Sequence, residues 1–235
     1  RPRLRPGGCS CAMGTPIRVL LVRHAEAYTG AVQADPELSD LGWRQTRALA
    51  HFLTDEDLDN PAIAFVVPID KLCVSPLKRA LQTMHPLAEL TGLEPEVWTD
   101  LYESGQSEEP GGDAKDGGMN RSAMQSMFPT YKLPDDVGPQ GWNTQKKKET
   151  LDQVKARAKS VATKLRELAA SEEIEGSVVL VTHVDFMNVL MQILLNQPKR
   201  TYLHENTAMS CMEVPEKGNA KLMFQNSVDH LTVFA

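Results

Sequence analysis

The sequence predicts an α/β sandwich of three layers, a mostly parallel central sheet flanked by helices, and three observations carry that prediction. Short apolar runs at Ile17 to Val22, Lys71 to Val74 and Ser177 to Thr182 have the length and composition of strands buried on both faces. Amphipathic helical patterns lie between them, and helices that alternate with parallel strands cover both sides of one sheet. Each run also ends in polar, chemistry-bearing residues, at the place where open α/β sheets bind their ligands.

Taken in order, the first run ends in Arg23-His24. Ser39 then caps a helix to about Leu53, with Leu41, Ala48, Leu49, Phe52 and Leu53 on one face. The second run leads into Ser75-Pro76, a cap followed by proline at the first helical position. The helix it starts carries Ala80, Leu81, Met84 and Leu87, with Pro86 set to kink its second half. A short apolar segment, Glu96 to Leu101, precedes Glu103. The longest helix is expected from about Gln145 to Ala170. There Leu151, Val154, Ala158, Val161, Leu165 and Leu168 form the apolar stripe, opposite a solvated face with Lys155, Lys159 and Arg166.

One region breaks the alternation. Gly105 to Gly118 is rich in glycine and acidic residues and reads as a mobile loop, followed by a Met-bearing stretch and a Pro/Asp/Gly run to Trp142. Long insertions in compact domains are functional lids or disordered segments, and a lid is the reading adopted. The organisation expected is a flexible leader at 1–14 and one domain at 15–235 with a lid-like insertion at about 104–144.

Composition narrows the function. A net charge of -6 in 235 residues argues against nucleic acid as a partner, since such proteins carry a basic stripe. No apolar run approaches the ~20 residues that span a bilayer, so no membrane segment is expected. Cysteines stand at 9, 11, 73 and 211, a spacing that offers neither a metal site nor a disulfide framework. A reducing, cytoplasmic compartment follows from that usage. The segment Arg1 to Gly14 is basic and lacks an apolar core, so it is no secretory signal; an organellar address is the other reading.

The chemistry lies at the strand ends. Arg23 and His24 follow the first strand, Arg79 sits just after the second, and His183 follows the third. Two arginines and two histidines placed so can converge on one dianion, with the carboxyl group of Glu103 following a further short segment. Arginine supplies a planar fork for phosphate oxygens, and histidine a nitrogen that is neutral and nucleophilic near pH 7. Any one of these could serve a private structural purpose, and His51, His85 and His204 are read that way.

Arg23-His24-Ala25-Glu26, Leu38-Ser39-Asp40-Leu41-Gly42-Trp43-Arg44-Gln45, Ser75-Pro76-Leu77-Lys78-Arg79-Ala80-Leu81-Gln82-Thr83, His183 and Asn226-Ser227-Val228-Asp229-His230-Leu231 stand in sequence order. In these elements the chain resembles the histidine phosphatase superfamily, the phosphoglycerate-mutase-like proteins, over nearly everything after Met13. The resemblance implies that fold and a phosphohistidine mechanism. His24 would be the nucleophile, Arg23, Arg79 and His183 the phosphate-binding groups, and Glu103 the acid, with no metal and no cofactor. It implies a small phosphorylated substrate or a phosphoprotein as partner.

Three departures stand out: alanine at 25 for the usual glycine, Gly30 where an asparagine is common, and Val184 where the second histidine is usually followed by glycine. Asp185 is a second candidate for the acid, because a related branch carries an aspartate directly after that histidine. Hydrolysis is favoured over mutase-type phosphoryl transfer: mutases resembling this family follow the glutamate with basic residues, whereas here Ser104-Gly105-Gln106 leads to an acidic loop with only Lys115 and Arg121 near. A protein phosphohistidine phosphatase and a non-catalytic pseudo-phosphatase that serves as a binding module are the remaining alternatives.

Overall fold

The sheet has six strands in the order β3-β2-β4-β1-β5-β6. They are β1 (Ile17–Arg23), β2 (Ile69–Val74), β3 (Glu96–Val97), β4 (Ser177–Thr182), β5 (Met209–Val214) and β6 (Lys221–Ser227). The first four pair in parallel, and β5 runs antiparallel to both β1 and β6. The helices are α1 (Asp40–Thr54), α2 (Lys78–Thr91), α3 (Arg121–Met127), α4 (Leu151–Ser171), α5 (Val184–Leu194) and α6 (Asp229–Val233), with a 3-10 turn at Thr99–Leu101. The computed structural model describes residues 15–28, 35–55, 66–104, 118–143, 148–171 and 173–233. The leader, Gly30, Lys115 and most of the Gly105 to Gly118 loop lie outside the described residues.

Period-2 alternation splits the core into two layers. Leu20, Val22, Val74, Val179 and Val181 face Leu49, Phe52 and Leu53 of α1 and Leu81, Met84 and Leu87 of α2. Val19, Leu21, Val178 and Leu180 face Val154, Val161 and Leu165 of α4 and Phe186 and Leu190 of α5. Three layers result, as the apolar runs predict.

Ser39 caps α1 by accepting the Gly42 N–H. Leu41 shares a helix face with Ala48, but it sits in the first turn and is exposed, a correction to the expected apolar face. A second correction concerns α2, which starts at Lys78 with Leu77 in the capping position. Ser75 is not the capping residue: its hydroxyl oxygen accepts the Leu77 N–H at 3.3 Å, and the hydroxyl also pairs with His183 Nε2 at 2.7 Å. A third concerns α4, which begins at Leu151 and not near Gln145. Thr150 and Gln153 form a capping box there: Gln153 accepts the Thr150 N–H and Thr150 accepts that of Gln153. α2 runs unbroken through Pro86.

Residues 118–143 of the insertion are built into the fold. Met124, Phe128, Tyr131, Val137 and Trp142 are buried in the α1/α2 layer, and the Tyr131 hydroxyl donates to Leu81 O at 2.9 Å.

Candidate active site

Strand register brings the predicted residues to one edge. Arg23 pairs with Thr182 and Val74 with Val181, so His24, His183 and Ser75 leave β1, β4 and β2 at the same level. The His24 N–H donates to Thr182 O (2.9 Å) and the Ser75 N–H to Val181 O (3.0 Å), which continues the ladder into the site.

His24 is buried, and its Nδ1 lies 2.7 Å from Ala25 O. A carbonyl can only accept, so Nδ1 carries the proton and Nε2 keeps its lone pair. Arg79 Nε–H donates to that Nε2 at 3.2 Å, and the His183 ring lies 5.0 Å away, centroid to centroid. Arg79 is 1% exposed, and its guanidinium stands 3.7 Å from Asp35. The Asp35 carboxylate also accepts the Lys78 N–H through both oxygens, at 3.0 and 2.9 Å. Burial outweighs these partners and raises the Asp35 carboxyl above its ordinary value. Arg23 donates through Nη1 to His204 O at 2.9 Å, which fixes the second guanidinium at the same strand end.

His183 is fully buried, with Nε2 2.7 Å from Ser75 Oγ and Nδ1 without a partner among the described residues. Burial first, then the charges of Arg79, His24, Arg157 and Arg23, hold its imidazole well below the usual histidine range. That direction keeps it neutral at pH 7 and leaves the cationic charge of the site to the two guanidiniums.

Glu103 reaches the site through the helix that His183 starts. Its carboxylate accepts the N–H of Ser104 (2.6 Å) and of Phe186 (3.1 Å), with Asp185 N at 3.5 Å. The N-terminus of α5 is thus a seat for this carboxylate. Asp185 contributes a main-chain N–H to that seat, and its own side chain is only partly buried.

The sequence motifs interlock around the loop after β1. Thr83 Oγ1 accepts the Ala25 N–H, Gln45 the Glu26 N–H and Gln82 the Leu38 N–H, each at 2.9 Å. Gly42 is required by close approach, since a Cβ there would stand 2.0 Å from Glu26 O.

Several residues of this region escape a reading of the sequence. Asp35 braces Arg79, and Ser75 orients His183. Arg157 donates to Asp100 O (2.8 Å) and Tyr102 O (2.7 Å) and pairs through two nitrogens with buried Glu149 (3.0 and 2.7 Å), holding the segment that carries Glu103. Asn206 Nδ2 donates to His24 O at 3.1 Å. The Glu149-x7-Arg157 spacing places both beside one helix end, a signal that points to a pair only once α4 is known to begin at Leu151. Arg121 is engaged by the carbonyls of Val137 and Pro134 within the insertion.

Comparison with known proteins identifies the family and the fold. The profile of the histidine phosphatase superfamily (branch 1) matches residues 19–227, and the chain belongs to that family. Among curated proteins, the bifunctional protein Rv2228c of Mycobacterium tuberculosis is 36% identical over 104 residues, which are 41% of this chain and 25% of that protein. The chain thus spans about a quarter of the length of the curated relatives it matches.

Three solved structures share the fold. The protein histidine phosphatase SixA complexed with tungstate has a TM-score of 0.56 at 20% identity, covering 92% of this chain and 99% of that one. Mycobacterial glucosyl-3-phosphoglycerate phosphatase Rv2419c with inorganic phosphate has a TM-score of 0.58 at 23% identity, covering 91% and 99%. Phosphoserine phosphatase of Entamoeba histolytica with 3-phosphoglyceric acid has a TM-score of 0.56 at 21% identity, covering 92% and 99%.

Proposed function

We propose that this protein is a phosphatase that hydrolyses phosphomonoesters through a phosphohistidine on His24. The observation that carries the reading is the fixed tautomer of His24. Its Nδ1–H is held by Ala25 O, and Nε2 faces the Arg79 guanidinium with a lone pair. In-line attack of Nε2 on phosphorus breaks the P–O bond to the leaving group, whose oxygen takes a proton from Glu103. Water then attacks the phosphohistidine and gives its proton to the Glu103 carboxylate, and the P–N bond breaks to release inorganic phosphate. The main-chain donors around Glu103 hold its carboxyl group in place through both halves of this cycle.

Arg23 and Arg79 would hold the equatorial oxygens, and neutral His183 would add a hydrogen bond. Two guanidiniums supply the charge that a divalent cation supplies in other phosphoryl transfers, so the reaction as drawn needs no metal. Hydrolysis is favoured over mutase-type transfer because Arg121 is spent on carbonyls of the insertion and is not left to retain a second phosphate. The insertion at about 104–144, which starts directly after Glu103 in the sequence, is assigned to substrate selection.

The test is a panel of phosphorylated metabolites and phosphopeptides, run on the protein and on His24→Ala in parallel. Hydrolysis of phosphomonoesters that vanishes in His24→Ala supports the reading. Activity confined to phosphohistidine peptides would replace it with the protein phosphohistidine phosphatase alternative.

A further inference from the structure

The main chain of the Arg23–His24 pair is held from one side by a turn just before β5. Arg23 N–H donates to Ala208 O (3.2 Å), while Thr207 N–H donates to Arg23 O (3.1 Å) and, more weakly, to His24 O (3.4 Å). Asn206 Nδ2 adds a donor to His24 O at 3.1 Å. The turn that makes these contacts is costly in itself. Thr207 has φ 57, the left-handed region that a β-branched residue rarely enters. Such a conformation persists only where its surroundings over-determine it, and it tends to mark a functional site.

What holds Thr207 there is a buried side chain from the far end of the described chain. The Thr207 hydroxyl donates to Asn206 O at 2.7 Å and lies 2.8 Å from His230 Nε2. A hydroxyl has one hydrogen, and Asn206 O, a carbonyl, takes it. His230 must therefore donate through Nε2–H to Thr207 Oγ1. His230 is fully buried, its Nδ1 has no partner among the described residues, and its ring lies 6.0 Å from that of Phe52 in α1.

We propose that His230 is a positioning residue for His24, acting through Thr207: its Nε2–H locks the left-handed turn whose main chain fixes the Arg23–His24 peptide groups. Burial is the main cause that lowers its imidazole to about 4, which keeps the ring neutral and Nδ1 unprotonated across the physiological range. The inference rests on the reading of His24 as nucleophile. It differs from a purely structural role for His230 in what it leaves intact, because phosphate binding by Arg79 does not pass through this turn.

The test compares His230→Phe, which keeps a ring beside Phe52 but has no donor, with His230→Gln, which keeps an N–H donor, and Thr207→Val, which keeps the branched shape without the hydroxyl. An aryl phosphate is the substrate, since its departure hardly requires an acid. In His230→Phe, kcat and the single-turnover rate of His24 phosphorylation should fall by about ten- to a hundred-fold. KM should change far less than kcat, because Arg79 still holds phosphate even though Arg23 shares the turn. Thr207→Val should fall equally, the double variant should be no worse than either, and His230→Gln should recover most of the rate.

Wild-type phosphorylation rates in His230→Phe overturn the proposal. So do equal losses in the Phe and Gln variants that follow melting temperature. Should the variants fail to fold, nitrogen NMR of the wild-type imidazoles decides: the Nε2–H tautomer of His230 supports the relay, and the Nδ1–H tautomer overturns it. His24→Ala separates the two levels. If it retains full activity, the nucleophile assignment fails first; if it is inactive while His230→Phe is normal, only the relay fails.

Discussion

The proposed nucleophile, His24, and the proposed acid, Glu103, are held in place by different means. His24 sits after a central strand and is fixed by direct contacts: its ring by the Ala25 carbonyl and the Arg79 Nε–H, its backbone by the Thr83 hydroxyl behind Ala25 and a strained turn at Thr207. Glu103 follows a 3-10 turn near the sheet edge and is fixed by main-chain donors, with a buried ion pair behind the segment that carries it. Its carboxylate lies on the N-terminus of α5, and the preceding carbonyls are gripped by Arg157, which a buried Glu149 pairs with. The difference has a chemical logic. A nucleophilic imidazole must keep its lone pair aligned, so donors and acceptors that orient the ring directly suit it. A carboxylate is held through the acceptors it offers, and the Arg157–Glu149 pair holds the segment that presents it.

The comparison can be broken one side at a time. On the acid side, Glu103→Gln should lower kcat for an alkyl phosphate by about a thousand-fold while sparing an aryl phosphate, whose phenolate leaves unaided. Asp185→Asn should leave that selectivity unchanged, and the opposite pattern would move the acid to Asp185. On the nucleophile side, Arg79→Ala should cost about a hundred-fold or more on both substrates. Arg44→Ala, on the exposed face of α1, and Lys78→Ala, ion-paired with exposed Glu37, should each cost far less. Equal losses in all three would mean a general field effect and no specific clamp.

Smaller effects sharpen the contrast. Arg157→Lys keeps the charge but not the fork, and should reproduce the leaving-group selectivity of Glu103→Gln at about a tenth of its size. Steady-state rates on the same two esters would show it, and uniform losses on both would detach Arg157 from the acid.

Stability should carry its own signature. Burial lowers His204 and His230 to about 4, and lowers His183 well below the usual 6.5. Because these folded values lie below the unfolded one, the fold is most stable above pH 6.5 and loses stability as pH falls from there toward 4. The loss is roughly 3 kcal/mol for each group shifted to about 4. Asp35, raised by burial, opposes this at the acid end. Melting temperatures between pH 7.5 and 4.5 check the slope, which His230→Gln should flatten.

Much of this was legible in the sequence for local reasons. β1 and β4 are continuous apolar runs, Ser39 sits before an amphipathic stripe, and the motif residues are contiguous. Four of the five predicted site residues, Arg23, His24, Arg79 and His183, share the β1–β4–β2 strand ends, and Glu103 joins them through α5. What stayed hidden depends on distant partners. Ser75 looks like a helix cap, and nothing beside it shows that its hydroxyl also pairs with His183 from 108 residues away. α4 starts later than its periodicity suggests because the Thr150–Gln153 capping box fixes its first turn. Thr207 gives no local sign of a left-handed turn, because threonine avoids that region and only His230 and the His24 carbonyl explain it. The antiparallel β5–β6 edge, with mixed polar and apolar residues, has no periodicity that marks it as sheet.

The central claim is that phosphate passes through His24, and rapid quench with a labelled phosphomonoester tests it most directly. The account predicts an acid-labile, base-stable phosphoenzyme whose label maps to the peptide bearing His24, formed at least as fast as turnover and absent from His24→Ala. Hydrolysis at the wild-type rate with no trapped phosphohistidine, or with label on another residue, would contradict it.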